Sequence, residues 1–437
     1  MNKKINIGCQ QNLLRPDKDL GAILEYLCGE ANKVFNCSVY YARQIWFKEN
    51  RFVDRVELCR QMKSNRHFRA MYASSAQQIC NGVVEALVSF SQLLKLFKEK
   101  KLENKPRPPK YRKKGLFSVS YPKKWLKLTE KGIRVPLGKS VKAWFGLENF
   151  YLPMASNLDW EKIKEIRILP RHGCFYVEYV YQRESTLEDT QGVDHEKVLG
   201  IDHGLDNWLT CVSNAGTSFI IDGKHLKSVN QWYNKQIATV KEGKPQGFWS
   251  KRLANITEKR NRQMRDAVNK AARLVINYCL LNGIGRIVFG WNKGQKDGIN
   301  IGAKNNQKFV QVPTAKLKER IKELCEFYGI QFIETEESYT SQASFIDGDI
   351  IPVYGEKPGN WKASGKRIKR GLYRTRNRVL INADCNGAAN ILRKVAATLG
   401  LSLKGVSSGA LTTPVRVHYW ATCEPPSMQE RGESKYI

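Results

Sequence analysis

Asn382-Ala383-Asp384-Cys385-Asn386-Gly387-Ala388-Ala389-Asn390-Ile391 carries the most telling pattern in the chain. Ala388, Ile391 and Leu392 recur at helical spacing, which predicts a helix from about Asp384 to Leu399. Asp384 opens that helix, where the dipole favours a carboxylate, so capping alone accounts for an acid there. Capping does not require Asn386 and Asn390, two amides repeated on a helix of small residues. A helix so built packs closely against its neighbours, and Asp384 gains chemical meaning if other carboxylates meet it.

One such carboxylate stands in Gly200-Ile201-Asp202-His203-Gly204. Asp202 ends an otherwise apolar strand, Val198 to Ile201, and burying a charge is costly unless it is paired or metal-bound. The pattern fits the first metal-binding aspartate of an RNase H-like nuclease. It fits equally the phosphate loop of an actin- or Hsp70-like ATPase, or a turn cap. Two-metal cleavage of a phosphodiester needs about three carboxylates around cations roughly 4 Å apart. The strand Ile287-Val288-Phe289 ends in Gly290 and supplies none. The following strand, Ile330 to Thr335, continues into Glu336-Glu337-Ser338-Tyr339-Thr340-Ser341. Parallel neighbours run about 4.8 Å apart, so a glutamate on the second strand reaches a metal that the first would otherwise serve. Glu336 and Glu337 point to opposite faces, so one of them at most is expected at the site, with Glu334 a further candidate. A solvated acidic strand end is the alternative.

The surrounding chain fits a polyanion partner. Its 437 residues hold 73 Lys and Arg against 41 Asp and Glu, a net charge of +32, which disfavours compaction unless nucleic acid offsets it. A hydrophobic content of 42% excludes a wholly disordered chain, and the length suggests about three domains. No run approaches the roughly 18 apolar residues of a membrane helix, and Met1 to Asn12 has no signal-peptide core. The 11 cysteines, Cys9 to Cys423, include no C-x-x-C pair. That usage suits reduced thiols in a cytoplasm and argues against a cysteine zinc site.

Ile5, Ile7 and Cys9 alternate as in a strand. Residues 18–100 then read as a helical unit, with Leu20, Ile23, Leu24, Leu27, Ala31, Val34 and Phe35 on one stripe and Asp19 as the expected cap. Lys105-Pro106-Arg107-Pro108-Pro109-Lys110-Tyr111-Arg112-Lys113-Lys114 follows. Its prolines forbid a helix, leaving a linker or an extended phosphate-contacting arm with a stacking tyrosine. Strand signals from 116 to 184, including a hairpin around Pro170-Arg171-His172-Gly173, predict a small β-barrel that also takes in the first strand. A polar linker, about Glu184 to Lys197, ends it. Beyond it strands and helices alternate: Val198–Ile201, Leu209–Ser213, Thr217–Ile221, a long basic helical stretch from about Asn230 to Leu281, Ile287–Phe289, a helix stopped by Gly329, and Ile330–Thr335. This is an α/β layered domain. The tail after Leu401 is expected to be loosely held.

Taken together, these strings resemble the TnpB family: RNA-guided nucleases of bacterial insertion sequences and presumed ancestors of type V CRISPR effectors. The resemblance implies a wedge-like β-barrel (1–17 and 101–190), a helical recognition insert (18–100), an RNase H-like RuvC nuclease domain (191–400) and a tail (401–437). It implies that Asp202 and Asp384 are the first and last RuvC aspartates. The family's middle glutamate is missing at Gly290. Some branches carry it just before Tyr-Thr-Ser, which is Glu337 here. Asp202, Glu337 and Asp384 are then the catalytic and metal-binding residues, with two Mg²⁺ ions expected. The zinc-ribbon region (338–380) has no cysteine, so zinc is not expected. Lys366, Arg367, Lys369, Arg370 and Arg374 replace it as a basic run that holds nucleic acid, with Lys105, Arg107, Lys110, Tyr111, Arg112, Lys113 and Lys114 as the second basic element. The implied partners are a guide RNA and double-stranded DNA, with one protein per RNA, no membrane and a cytoplasmic bacterial setting.

The implied function is RNA-guided DNA cleavage. A nuclease-dead RNA-guided DNA binder stands beside it because of Gly290 and the missing ribbon. A DNA-joining transposase leaves the helical and barrel half unexplained. An ATPase would need a second phosphate loop, for which Asp222-Gly223 is too little.

Overall fold

The computed structural model describes residues 5–113, 115–184, 192–292 and 312–421. The chain divides into two compact units, Met1–Ser185 and Thr186–Ile437. Lys114, Cys423 and residues 185–191 of the Glu184–Lys197 linker lie outside the described residues, and Asp194 to Lys197 begin a strand instead.

In the first unit the strand Ile5–Leu14 pairs antiparallel with Cys174–Glu184, and Ile163–Arg171 and Val119–Pro122 complete a four-stranded sheet. Helices Lys18–Glu49, Arg55–Met62, Arg66–Arg69 and Ala73–Lys98 are inserted after the first strand. Asp17, not Asp19, caps the first helix: its carboxylate accepts from the Leu20 amide at 2.8 Å. A capping side chain must reach the amide two or three positions on, and Asp19 already lies in the first turn.

The expected barrel is instead two separate sheets, the second formed by Lys127–Thr129, Gly132–Pro136 and Asn149–Leu152. Pro122 and Pro136 end two of the strands, and proline has no N–H with which to extend a ladder. The helical insert has no core of its own. Leu24, Leu27 and Val83 are buried in one cluster with Val119, Tyr121 and Ile166 from the strands. Helix Ala73–Lys98 is long and apolar enough by composition to cross a membrane, and this core accounts for the apolar face: Ile79, Val83, Leu87 and Phe90 are buried.

The second unit is built on a six-stranded sheet ordered Gln331–Thr335, Ile284–Gly290, Asp194–His203, Asn207–Ser213, Ser218–Asp222 and Val415–Val417. The first three run parallel, and the third to fifth form an antiparallel meander. Two expectations change here. The long helical stretch is two helices, Lys224–Lys241 and Lys251–Leu281. Gly243 at φ +65° and Pro245 break the run, and Ser250 caps the second helix through the Leu253 amide at 3.3 Å. The tail is held as far as it is described: Val415–Val417 adds a parallel edge strand to Ser218–Asp222, and Arg416 reaches the buried Asp222 at 2.7 Å. Helix Thr314–Tyr328 stops at Gly329, φ +70°, as its sequence predicts.

The cysteine-free stretch contains a small sheet of Lys366–Lys369, Leu372–Arg374 and Leu380–Asn382. Carboxylates knot it together. Asp349 accepts from the amides of Ser344 and Ser364 at 2.7 and 3.0 Å and from the Ser364 hydroxyl. Asp347 accepts from the Ser344 hydroxyl and the Arg376 amide at 2.6 and 2.8 Å.

Candidate active site

Helix Ala383–Leu399 crosses the sheet at very short range, and its small residues make this approach feasible. A Cβ at Gly200 would meet the carbonyl oxygen of Ala388 at 2.7 Å and Cγ of Leu392 at 2.6 Å. One at Gly387 would stand 2.7 Å from Oδ2 of Asp202. Asp202, at the end of its strand, is therefore pressed into the notch that Gly387 leaves. Asp384 lies one turn earlier on the same helix face. The helix cap is Asn382, whose side-chain oxygen accepts from the amides of Asp384 and Cys385 at 2.9 and 3.1 Å. Asp384 is thereby released from capping. Its carboxylate accepts instead from Asn207 at 2.6 Å and pairs with Arg367 at 3.2 Å.

Glu337 completes the group. Gly290 lies opposite Thr335 in the parallel register, and the chain continues past Thr335 to Glu337. Asn292 brackets this glutamate, accepting from its amide at 3.1 Å and donating to Oε1 at 3.5 Å. The His203 ring places Nε2 3.7 Å from Oε2, and that ring packs on Phe289 and Trp291. A Cβ at Gly290 would lie 3.3 Å from the same Oε2.

Glu334 turns away to Lys318 at 2.7 Å. Glu336 turns away to Lys394 and to the Ser338 amide. Burial would raise the Glu336 carboxyl, but those two partners hold it below the usual range.

The carboxylates feel one another. Burial, then the charges of Glu337 and Asp384, push Asp202 well above the ordinary aspartate range, while the His203 backbone and Arg367 offset this in part. Among the described residues no three His, Cys, Asp or Glu side chains already stand at a spacing that grips one metal ion. The donor set nonetheless suits a hard divalent cation. It consists of carboxylate oxygens, and a cation would relieve the repulsion that raises Asp202.

The two most specific strings of the sequence are joined through Asn390. Its amide donates to the carbonyls of Thr340 and Ala343 at 2.9 and 2.7 Å, and the Thr340 hydroxyl donates to the Glu337 carbonyl at 2.8 Å. Asn386 accepts from the Phe345 amide at 2.9 Å and donates to the Ala343 carbonyl at 2.7 Å. The two amides that capping left unexplained thus fix the turn that carries Glu337.

Of the basic run, Arg367 reaches the carboxylates directly. Arg370 and Lys227 both pair with Asp206, holding that carboxyl below its usual range against the opposing effect of burial. Lys366 and Lys369 are exposed, and Arg374 is half-buried.

The proline-rich arm lies in the other unit and is docked there. Asn36 exchanges hydrogen bonds of 2.8 and 3.0 Å with the Arg112 backbone, and Asn32 donates to the Lys113 carbonyl at 3.1 Å. Lys105, Arg107, Lys110, Tyr111, Arg112 and Lys113 are exposed. His203, Asn207 and Asn292 were not singled out from the sequence. Their only signal is position: His203 beside Asp202, Asn207 in the hairpin after it, and Asn292 two residues past Gly290.

Residues 178–295 match the family OrfB_IS605, described as a probable transposase, and residues 315–391 match the Cas12f1-like TNB domain. Both matches are consistent with a TnpB-like protein. A Cas12f1–sgRNA–target DNA complex contains a chain that is 15% identical, with 86% of this chain and 83% of that chain covered and a TM-score of 0.51. The mini-RNA-guided endonuclease CRISPR-Cas phi3 is 10% identical, with 93% of each chain covered and a TM-score of 0.40. No curated protein matches the sequence. The likeness to the Cas12f1 chain shows a shared mixed α/β, multidomain fold.

Proposed function

We propose that this chain is an RNA-guided endonuclease that cleaves DNA by metal-assisted phosphodiester hydrolysis. In this reading the Thr186–Ile437 unit is a RuvC nuclease domain of RNase H-like type, and its three-stranded meander followed by two parallel strands supports that assignment. The Met1–Ser185 unit carries the recognition helices and wedge. A guide RNA reads sequence by base pairing, while the protein reads a short flanking motif and the heteroduplex shape. One protein serves one RNA.

Asp202, Glu337 and Asp384 would hold two Mg²⁺ ions, which would supply Lewis acidity for phosphodiester hydrolysis. Asn292 aims Glu337, and Asn207 orients Asp384. Arg367 balances the charge of Asp384, and with a cation bound there its guanidinium would be left to meet phosphate. The observation that carries this reading is that Glu337 reaches the space a side chain at Gly290 would enter. The missing glutamate is thus replaced in place rather than lost.

The test uses protein purified with its associated RNA, Mg²⁺ and a plasmid library with a guide-matched target beside randomised flanks. Cutting by wild type, with none by Glu337→Ala or Asp384→Ala, supports the proposal. A second reading, a guided binder without cleavage, is favoured by the engagement of Asp384 with Arg367 and Asn207. Target protection without cutting would select it.

A further inference from the structure

Helix Lys18–Glu49 carries a second stripe, distinct from its buried one. Asn32, Asn36, Tyr40, Arg43 and Phe47 follow one another at intervals of three or four residues and so share a face. The proline-rich arm is pinned along the lower half of this face, with Lys113 on Asn32 and Arg112 on Asn36. Tyr111 then lies farther along it, beside Arg43. The Arg43 guanidinium sits between two rings, 5.1 Å from the Tyr111 centroid and 5.4 Å from that of Phe47.

None of these three aromatics is packed away: Tyr40 is 58% exposed, Phe47 59% and Tyr111 47%. Single exposed aromatics are ordinary on a protein surface. Phe47 also touches the Trp46 ring, with centroids 4.9 Å apart, but three exposed rings on one face, two of them beside one arginine, present more aromatic surface than that contact uses. The rim is basic, with Lys105, Arg107, Lys110, Arg112 and Lys113 all exposed along the arm. At the far end of the helix Glu49 pairs with Arg51 at 2.6 Å, and Glu57 pairs with the same arginine at 2.8 Å.

We propose that this composite face binds unpaired nucleobases of a single strand, stacked on Tyr40, Phe47 and Tyr111, with the phosphates on the arm. Rings and planar guanidinium groups accept any base, and lysines at the edge follow the backbone. A duplex hides its base faces, so it has no use for the rungs. The inference rests on the nucleic-acid reading above and adds to it a place and a strand state. Proline makes the arm stiff, and the asparagine pins hold its tyrosine in register with the helix.

The test uses the full chain and a single-stranded 15-nucleotide RNA bearing 2-aminopurine, with a duplex of equal length as comparison. Stacking should quench the fluorophore on binding. Tyr40→Ala with Phe47→Ala, and separately Tyr111→Ala, should abolish the quench and weaken single-strand binding roughly 5- to 100-fold. The salt dependence should keep its slope, since no phosphate contact is removed, and duplex affinity should not change. Leucine at the same positions keeps the bulk without the ring and should behave as alanine does. Equal loss for single strand and duplex, or quenching that survives the substitutions, would overturn the proposal. Quenching here, together with no cutting in the guided plasmid assay, would leave this proposal standing and remove the nuclease reading.

Discussion

A side chain at Gly290 would place its Cβ 3.3 Å from Oε2 of Glu337 and against Cδ1 of Ile391. The glycine and the glutamate therefore compete for one volume at the ends of two parallel strands. Moving a carboxylate from one strand end to its neighbour keeps the charge where it was and leaves a glycine behind.

This exchange is expected to be reversible. Glu337→Ala should lower cutting by more than roughly 100-fold, because even the partners of metal ligands cost 10- to 100-fold. Gly290→Glu combined with Glu337→Ala and Ile391→Ala, which clears the clash, should restore a measurable part of it. Plasmid cleavage by wild type and these two variants under one Mg²⁺ concentration is the measurement. No recovery in a triple variant that melts like wild type would mean that the two positions are not equivalent.

Asp202 should oppose stability in the metal-free chain. Its raised carboxyl means that the folded state holds a proton more tightly than the unfolded one. Stability is then lost as pH rises from the ordinary carboxylate range through the raised value, and remains lost above it. Asp202→Asn is expected to melt higher than wild type at pH 7 without metal, by about 2–4 °C per kcal/mol relieved, with the difference vanishing near pH 4. Mg²⁺ should raise the melting temperature of wild type but not of the variant. Paired thermal scans at both pH values test this.

Much of the site can be read from the sequence because strand ends and helix starts are local signals. The apolar run before Asp202 and the small-residue spacing after Asp384 show where each acid stands on its own element. Periodicity also distinguishes Glu336 from Glu337, since successive strand residues face opposite ways. It does not say what a face packs against. Leu27 and Val119 share a core across 92 positions, and local periodicity does not show that the inserted helices pack on those strands. Arg367 meets Asp384 through an irregular hairpin, and nothing in either local pattern marks the pair. The cap fell on Asp17 rather than Asp19 because two acids two positions apart both fit a helix start.

Arg367 holds Asp384 at 3.2 Å while nearly half exposed, and so competes with cations for that carboxylate. An exposed pair is worth about 0.2–1 kcal/mol, so Arg367→Gln should lower the Mg²⁺ concentration for half-maximal stabilisation by roughly 1.5- to 5-fold. Maximal cutting should fall in the same variant if the freed guanidinium also meets phosphate. A Mg²⁺ titration followed by both melting and cleavage separates the two effects. An unchanged midpoint would remove the competition.

Asn390 should matter for activity beyond its share of stability. Asn390→Ala leaves the Thr340 carbonyl without the donor at 2.9 Å, and a buried acceptor so stranded costs about 1–3 kcal/mol. Because Thr340 also holds the Glu337 carbonyl, cutting should fall well below wild type even at temperatures where the variant is folded. Asn386→Ala, which releases Phe345 and Ala343, should lose comparable stability with a smaller effect on cutting. Melting curves beside cleavage rates decide whether the two amides divide in this way.

The lobe that carries Arg367 is held by carboxylates and has no cysteine between residues 338 and 380, and this has a consequence for metal removal. Asp349 takes hydrogen bonds from Ser344 and Ser364, and Asp347 takes them from Ser344 and Arg376. Such a knot needs no ion. A zinc-selective chelator should leave both melting temperature and nucleic-acid affinity unchanged, whereas classical zinc-tied lobes unfold without metal. Asp349→Ala should act as chelation does elsewhere, stranding the Ser344 and Ser364 amides at about 1–3 kcal/mol each where they are buried. Since Ser364 precedes the strand Lys366–Lys369, the loss should also loosen Arg367 and lower cutting. Melting that falls on zinc chelation, with Asp349→Ala silent, would mean that the lobe is tied by a metal after all.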